Sequence, residues 1–174
     1  MWDFFETVRH RHSIRKYQDT RPIEQEKLHA VLEMACAAPS AGDLQAYKVF
    51  VIRSESLRKR LAQAADNQQF ISQAPVNLVF CADKARSAQR YGERGKTLYA
   101  IQDATIAATY AQLAVVAAGM GSTWIGDFSE DELSALLGLD HGLTPIAILS
   151  LGYPAELPEP TRRRHLEDIV TYID

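Results

Sequence analysis

The segment from Thr97 to Ala118 constrains the fold more than any other part of this chain. It is rich in alanine and apolar on nearly every side. A helix at a protein surface carries a polar stripe opposite its apolar face, so this composition predicts a buried helix. The rest of the chain must supply the elements that cover it.

The remaining pattern predicts one β-sheet with helices on both faces, an α+β fold. The apolar runs Val76–Ala82 and Pro145–Leu151 are typical of central strands covered on both sides. Further extended segments are predicted at Tyr47–Arg53, Thr123–Gly126 and Asp168–Ile173. Helices are predicted behind a capping Asp3 and at Ile23–Ala37, Ser54–Ala65 and Asp131–Leu137. Asp19–Pro22 is predicted to be a turn, and the polar Lys84–Lys96 to be the most mobile segment.

Length and charge limit the class of protein. The 174 residues suit a single domain, 1–174, and the net charge of -3 argues against attraction to nucleic acid or to an anionic membrane. No apolar run reaches membrane-spanning length, and the first residues lack the apolar core of a secretory signal, so a cytoplasmic protein is expected. Cys36 and Cys81 lie in apolar stretches and are predicted to be small core residues.

The composition changes after Gly152. Three prolines, Pro154, Pro158 and Pro160, predict that residues 153–174 form an extended arm. Such an arm can pair with another subunit or fold back onto its own sheet, and the sequence leaves both arrangements open.

Two basic segments are candidates for binding an anion. The first contains cations and a hydroxyl close together, at Arg11, His12, Ser13 and Arg15. Guanidinium and hydroxyl donors suit a phosphate monoester because they form charge-assisted and neutral hydrogen bonds to its oxygens. The second segment is a run of three arginines, Arg162, Arg163 and Arg164. The alternative for both segments is a solvated basic surface.

Two loop segments are candidates for contact with a flat ligand. The first lies between a predicted helix and a predicted strand, and its candidate binding residues are Pro39, Ser40, Ala41, Asp43 and Gln45. Small residues let the backbone approach a ligand closely, while Asp and Gln can bind its polar edge. The second is Gly119–Gly126, which is not the G-x-G-x-x-G of a Rossmann fold. The alternatives are a plain connection for the first and a helix end followed by a strand for the second.

Familiar catalytic sets are missing from the sequence. It has no H-E-x-x-H, no P-loop, no G-x-S-x-G, and no evident pair of nucleophile and base. An enzyme that lacks such groups commonly takes its chemistry from a cofactor.

Taken together and in order, these segments resemble the FMN-dependent nitroreductase family. Two family motifs, Arg-x-Ser-x-Arg/Lys and Pro-Ser-x-x-Asn-x-Gln, are matched at Arg11–Arg15 and Pro39–Gln45. The motifs Gln-Asp-Ala and Gly-x-Gly-[Ser/Thr]-x-Trp-Ile-Gly are matched at Gln102–Ala104 and Gly119–Gly126. The closing Leu-Gly-Tyr-Pro, basic run and Leu-Glu-[Asp/Glu]-Ile-Val are matched at Leu151–Pro154, Arg162–Arg164 and Leu166–Val170. Two positions depart from the family pattern: Asp43 replaces its Asn, and Ala46-Tyr47 replaces its Pro-Trp.

The resemblance implies a homodimer that binds FMN at the subunit interface, with a mixed, mostly antiparallel sheet and exchanged C-terminal arms. Arg11, Ser13 and Arg15 would hold the phosphate and the pyrimidine side, with help from Arg163 or its neighbours. Residues 39–45 of the other subunit would line the isoalloxazine. The remaining implied contacts come from Asn67 or Gln68 at the ribityl or pyrimidine edge and from Trp124, Ile125 and Gly126 near flavin N5.

The resemblance also implies an activity. NAD(P)H would deliver hydride to flavin N5 and leave, and a small electron acceptor such as a nitroaromatic or a quinone would then take its place. Relatives carry out reductive dehalogenation or flavin fragmentation, which is one alternative. The other is an FMN-binding module that stores or senses flavin without turnover.

Overall fold

A computed structural model of the chain describes residues 3–18 and 21–173. The turn predicted at Asp19–Pro22 includes residues 19 and 20, which lie outside the described residues. The elements in chain order are α1 (Phe4–His10), α2 (Gln25–Cys36), a 3-10 turn (Ala41–Asp43), β1 (Tyr47–Ile52), α3 (Glu55–Ala64), α4 (Gln69–Gln73), β2 (Val76–Asp83), α5 (Lys84–Arg94), a π-helical turn (Gly95–Tyr99), α6 (Ala100–Ala117), β3 (Gly121–Ile125), α7 (Glu130–Leu137), β4 (Leu143–Gly152) and a second 3-10 turn (Leu166–Asp168).

The four strands form one antiparallel sheet in the order β1-β2-β4-β3. β2 and β4 are the central strands, as their apolar sequences predict. Residues along β2 alternate between the two faces: Leu78 and Phe80 pack in the core with α2 and α6, while Val79 and Cys81 pack in the core beside α3 and α7. The predicted α+β fold with helices on both faces is therefore confirmed.

Helix α6 is the predicted alanine-rich helix. Ala104, Ala107 and Ala111 are fully buried, and their small side chains let the helix pack closely against α2 and the sheet. One side of the helix remains open, since Tyr110 is 41% exposed. No helix in the described part of the chain is long and apolar enough to cross a membrane.

Three predictions differ from the structure. The segment Lys84–Lys96 is helical rather than a mobile connection, because Asp83 caps α5 by accepting the Arg86 N–H at 2.8 Å. The segment Asp168–Ile173 contains no strand within this chain, because no neighbouring strand pairs with its backbone. Cys81 is buried as predicted, but Cys36 is exposed because it ends α2 on the side that faces away from the core.

Candidate active site

The basic segment at Arg11–Arg15 lies along the edge of the sheet, which is formed by β3. The Ile14 N–H donates to the Ser122 carbonyl at 3.0 Å, and Ser13 forms a parallel bridge with Ser122. Gly121 allows this approach, since a side chain there would place its Cβ 2.5 Å from Ile14 Cγ1. The basic segment Arg11–Arg15 and the segment Gly119–Gly126 are therefore neighbours.

A buried tyrosine fixes the same segment to the sheet. The Tyr17 hydroxyl donates to the carbonyls of Ile14 at 2.7 Å and Ser150 at 3.0 Å. Burial raises the pKa of Tyr17, so the hydroxyl stays protonated and remains a donor at physiological pH. The sequence pattern does not indicate this role, because Tyr17 and Ser150 are far apart along the chain.

Arginines from two distant segments face one cavity of about 440 Å³. Its lining residues are Arg11, His12, Ser13, Arg15, Pro158, Glu159, Thr161 and Arg163. Burial lowers the pKa of Arg11, and the positive charge of Arg163 lowers it further. Like charges held close together repel unless an anion lies between them, so this cavity fits a phosphate group.

Within the run of three arginines, the structure distinguishes the members. Arg163 lines the cavity, whereas Arg162 and Arg164 are absent from its lining. Arg164 donates instead to the Asp168 carbonyl and so stabilises the second 3-10 turn. Among the three, Arg163 is the best candidate for an anion contact.

The start of α4 lies beside Arg15 but does not line the cavity. The Arg15 guanidinium lies 5.8 Å from the centre of the Phe70 ring, and Gln68 Nε2 donates to the Asp127 carbonyl at 3.3 Å. Gln68 therefore lies beside the residue that follows Gly126. Asn67 instead lines a separate depression with Arg60 and Glu132, so the structure favours Gln68 over Asn67 for this site.

The end of β3 and the residue that follows it, Gly126, lie close to Gln68. Trp124 is half-buried against the core that contains α6, Ile125 is buried in the opposite core, and Gly126 is exposed. A Cβ at Gly126 would meet only Trp124 Nε1, at 3.8 Å, so the space in front of the Gly126 backbone is open.

The loop at residues 39–45 lines a second cavity, of about 520 Å³, with residues of α6 and the turn before it. Its lining residues are Pro39, Ser40, Ala41, Tyr99, Ile101, Gln102, Asp103, Thr105 and Ile106. The two cavities share no lining residue. A single chain therefore does not bring Pro39–Ala41 together with Arg11 and Arg15.

Asp103 holds this loop in place from helix α6. It is 2% exposed, and its carboxylate accepts the N–H groups of Ala41 at 2.9 Å and Ala46 at 3.2 Å. Two backbone donors satisfy most of the buried charge. The sequence pattern marks Asp103 only as part of a family motif, and its contact with the loop becomes visible in the structure.

The remaining polar groups of the loop are mostly engaged with the protein itself. The Gln45 side chain donates to the Cys36 carbonyl, and the Gln45 N–H donates to Ser40 Oγ, both at 2.9 Å. Arg90 donates to the Gly42 carbonyl at 3.0 Å and Arg86 to the Leu44 carbonyl at 2.5 Å. Helix α5 thus clamps the outer side of the loop.

Asp43 stands out within the loop. It is exposed and has a backbone φ of 56°, a left-handed conformation that Asp adopts more readily than most residues. It forms no ion pair among the described residues. Its side chain is therefore available at the surface of the loop, and an ionised carboxylate there accepts hydrogen bonds but does not donate them as the amide of Asn does.

The described residues contain no group of three or more His, Cys, Asp or Glu side chains placed to hold a metal ion. Within residues 3–18 and 21–173, the site segments assemble an arginine-lined cavity, an exposed strand end and a loop held by α5.

Comparison with known proteins identifies similar chains. The family model described as "Nitroreductase family" matches residues 8–84 and 64–153. A Thermus thermophilus protein named NADH dehydrogenase is 32% identical over 93% of this chain and 92% of its own length. A Bacillus subtilis protein named FMN reductase [NAD(P)H] is 32% identical over 83% of this chain and 63% of its own length.

Solved structures show the same likeness in three dimensions. The NADPH:FMN oxidoreductase from Vibrio harveyi, complexed with NAD+, superimposes with a TM-score of 0.89 at 30% identity. The match covers 97% of this chain and 76% of that structure. A nitroreductase family protein from Streptococcus pneumoniae superimposes with a TM-score of 0.88 over 98% of this chain and 100% of its own, at 23% identity.

Proposed function

This chain belongs to the nitroreductase family, and on that premise we propose that it uses FMN to pass electrons from NAD(P)H to a small electron acceptor. It is an NAD(P)H-dependent flavin oxidoreductase, as its relatives named FMN reductase and NADPH-flavin oxidoreductase are. The observation that carries the proposal is the cavity in which Arg11 and Arg163 face each other beside β3.

The arginine-lined cavity suits the phosphate of FMN. Arg11, Arg15 and Arg163 supply guanidinium donors, and Ser13 supplies a hydroxyl. A phosphate that carries close to two negative charges relieves the repulsion between the arginines. Gln68 lies toward the exposed end of β3, where it would bind the polar edge of the ring system.

The chemistry supplied by bound FMN is acceptance of hydride from NAD(P)H and its delivery to a second substrate. The protein positions the reactants and provides electrostatic stabilisation. Asp103 keeps the loop at residues 39–45 rigid, so that donor and acceptor occupy one defined place in turn.

We further propose that the site is completed by a second copy of the chain. The loop at residues 39–45 and the arginine cavity lie apart in one chain, and the loop of the partner subunit would supply the missing wall. An apolar groove of about 480 Å³ between α1, α2 and α6, in which Phe4 is 66%, Met34 47% and Tyr110 41% exposed, suits such a dimer contact.

The C-terminal arm supports the same arrangement. Ile169, Tyr172 and Ile173 are 63%, 82% and 93% exposed, which is unfavourable for apolar side chains in water. Strand β1 is an edge strand whose outer side has no strand partner among the described residues. We propose that the arm of each subunit covers its partner and that its predicted strand forms there.

The test is a spectrum followed by an anaerobic titration. The purified protein, or the protein reconstituted with FMN, should be yellow, and NADH or NADPH without air should bleach the flavin. A quinone or a nitroaromatic added afterwards should restore the colour. A yellow protein that resists both donors would support the storage or sensing alternative, and failure to bind FMN at all would overturn the proposal.

A further inference from the structure

The start of the C-terminal arm pairs with the segment that follows the cavity arginines. The Ala155 N–H donates to the Lys16 carbonyl and the Gln18 N–H to the Tyr153 carbonyl, both at 2.9 Å. Tyr17 and Pro154 form an antiparallel bridge between these pairs. The arm is thus attached to its own chain before it extends away.

The next contact between the arm and this segment is made by the side chain of Glu156. Its Oε1 accepts the Arg15 N–H at 2.7 Å and the Lys16 N–H at 3.0 Å. Leu157 then points into solvent and is 98% exposed. The chain returns to the cavity at Pro158, and Arg163 follows.

The cavity therefore has two walls that belong to distant parts of the sequence. Arg11–Arg15 form one wall and residues 158–163 form the other. Glu156 connects the two walls at the point where the arm turns toward the cavity.

We propose that Glu156 is a positioning residue for the phosphate site: its carboxylate oxygen aligns the arm that carries Arg163 with the segment that carries Arg15. The inference rests on the proposed function, since it assumes that the cavity binds the FMN phosphate. Glu156 does not touch the phosphate. It acts through two backbone N–H groups.

The direction in which FMN affinity changes when Glu156 is replaced distinguishes a positioning role from a simple electrostatic one. A negative charge near a phosphate weakens phosphate binding through repulsion. If charge were the main contribution of Glu156, its removal would tighten FMN binding. If alignment is its main contribution, loss of the hydrogen-bond acceptor weakens FMN binding. The two effects have opposite directions.

Three variants decide the question: Glu156→Ala, Glu156→Gln and Glu159→Gln. Both N–H groups donate to a single oxygen, Oε1, so the glutamine amide oxygen at position 156 can accept both. Glu159 also lines the cavity but accepts no hydrogen bond from the described residues, so Glu159→Gln is the matched control for loss of charge.

The dissociation constants of FMN and riboflavin should be measured for each variant by fluorescence titration. Riboflavin lacks the phosphate and reports on the rest of the site. We expect Glu156→Ala to weaken FMN about tenfold with little change for riboflavin, and Glu156→Gln to stay within about threefold of the original protein. Glu159→Gln should tighten FMN.

Several results would overturn the inference. One is tighter FMN binding in Glu156→Gln by as much as in Glu159→Gln, because Glu156 would then act as a charge. Equal losses for FMN and riboflavin in Glu156→Ala would indicate general damage to the fold. If Glu156→Ala fails to fold, Glu156→Asp takes its place: it keeps the charge, but its shorter side chain withdraws the oxygen from the two N–H groups, so weaker FMN binding is again expected and unchanged binding would overturn the inference. Failure of the unchanged protein to bind FMN would refute the proposed function itself.

Discussion

Among single residues, the arginines contribute unequally to the site. Arg11 and Arg163 face each other across the cavity, and Arg15 lies at its end toward Phe70. Arg162 carries the same charge close by in sequence but does not line the cavity. Position, rather than the number of positive charges, therefore determines which arginines line the cavity, and we expect those to bind an anion.

Replacement of Arg15 by Ala should weaken FMN binding by about 1.5–3 kcal/mol, because a charge-assisted hydrogen bond is lost. Arg162→Ala is the control with the same change in net charge, and we expect it to alter FMN affinity by less than about 0.5 kcal/mol. Flavin titration measures both. Equal effects of the two variants would remove Arg15 from the site.

The hydrogen bonds from the loop at residues 39–45 to Asp103 lead to a prediction about the stability of the loop. Asp103→Asn places an NH₂ group where the carboxylate accepts a backbone N–H, so one of the two hydrogen bonds is lost and its donor stays buried. We expect a loss of about 1–3 kcal/mol in the free energy of unfolding, and faster hydrogen exchange at Ala41 and Ala46. Gln102→Ala, an exposed neighbour on the same helix, should leave both quantities almost unchanged.

Whole elements show which parts of the fold a single sequence predicts. Strands β2 and β4 and helix α6 are predicted well, because a largely apolar run of residues is typical of an element whose surface is mostly buried. Helix α5 is not, since its polar sequence resembles that of a loop. Its order comes from the Asp83 cap and from contacts between its arginines and the loop at residues 39–45.

The site divides in the same way. The residues that we expect to face the ligand belong to short motifs that are visible in the sequence, at Arg11–Arg15, residues 39–45 and Gly119–Gly126. The residues that hold them in place are not apparent from the sequence, because the contacts join distant positions. Arg15 and Glu156 are 141 positions apart, and Tyr17 and Ser150 are 133 apart. No local pattern encodes such pairs, so Tyr17, Asp103 and Glu156 emerge only from the folded chain.

The packing of α5 on the loop predicts the effect of a glycine substitution. Gly42 has a φ of 57°, and a Cβ there would lie 2.3 Å from Tyr91 Oη and 2.6 Å from Arg90 Nη1. Gly138 also has a left-handed backbone, with a φ of 61°, but a Cβ there would meet nothing within 4 Å. It is therefore a control for backbone strain alone.

We expect Gly138→Ala to lower the free energy of unfolding by about 1 kcal/mol and Gly42→Ala to lower it by about 2 kcal/mol, because in the second variant the ends of the Arg90 and Tyr91 side chains must also move aside and Arg90 loses its hydrogen bond to the Gly42 carbonyl. Chemical denaturation measures both. A Gly42→Ala protein as stable as Gly138→Ala would show that α5 does not press on the loop.

At the scale of the whole molecule, the exposed apolar arm is the feature that a single chain leaves unexplained. Leu166, Ile169, Tyr172 and Ile173 are all well exposed, and burial of one such side chain contributes about 1.5–3 kcal/mol. Removal of residues 166–174 should therefore weaken the dimer by at least about 3 kcal/mol, or about a hundredfold in its Kd.

Sedimentation velocity over a range of concentrations measures this change, and circular dichroism checks that the truncated chain keeps its helices. A truncated protein that dimerises as tightly as the full chain would show that the arm does not cross to its partner. A full chain that remains monomeric at every concentration would contradict the composite site altogether.

The separation of the two cavities within one chain has a genetic consequence. A subunit with Arg15→Ala has a damaged phosphate cavity but an intact loop, and a subunit with Asp103→Asn has the reverse. In a mixed dimer both lesions fall in one site, and the other site is assembled from two undamaged halves. If the site is shared as proposed, two such alleles expressed in the same cell should therefore give more activity than either gives alone.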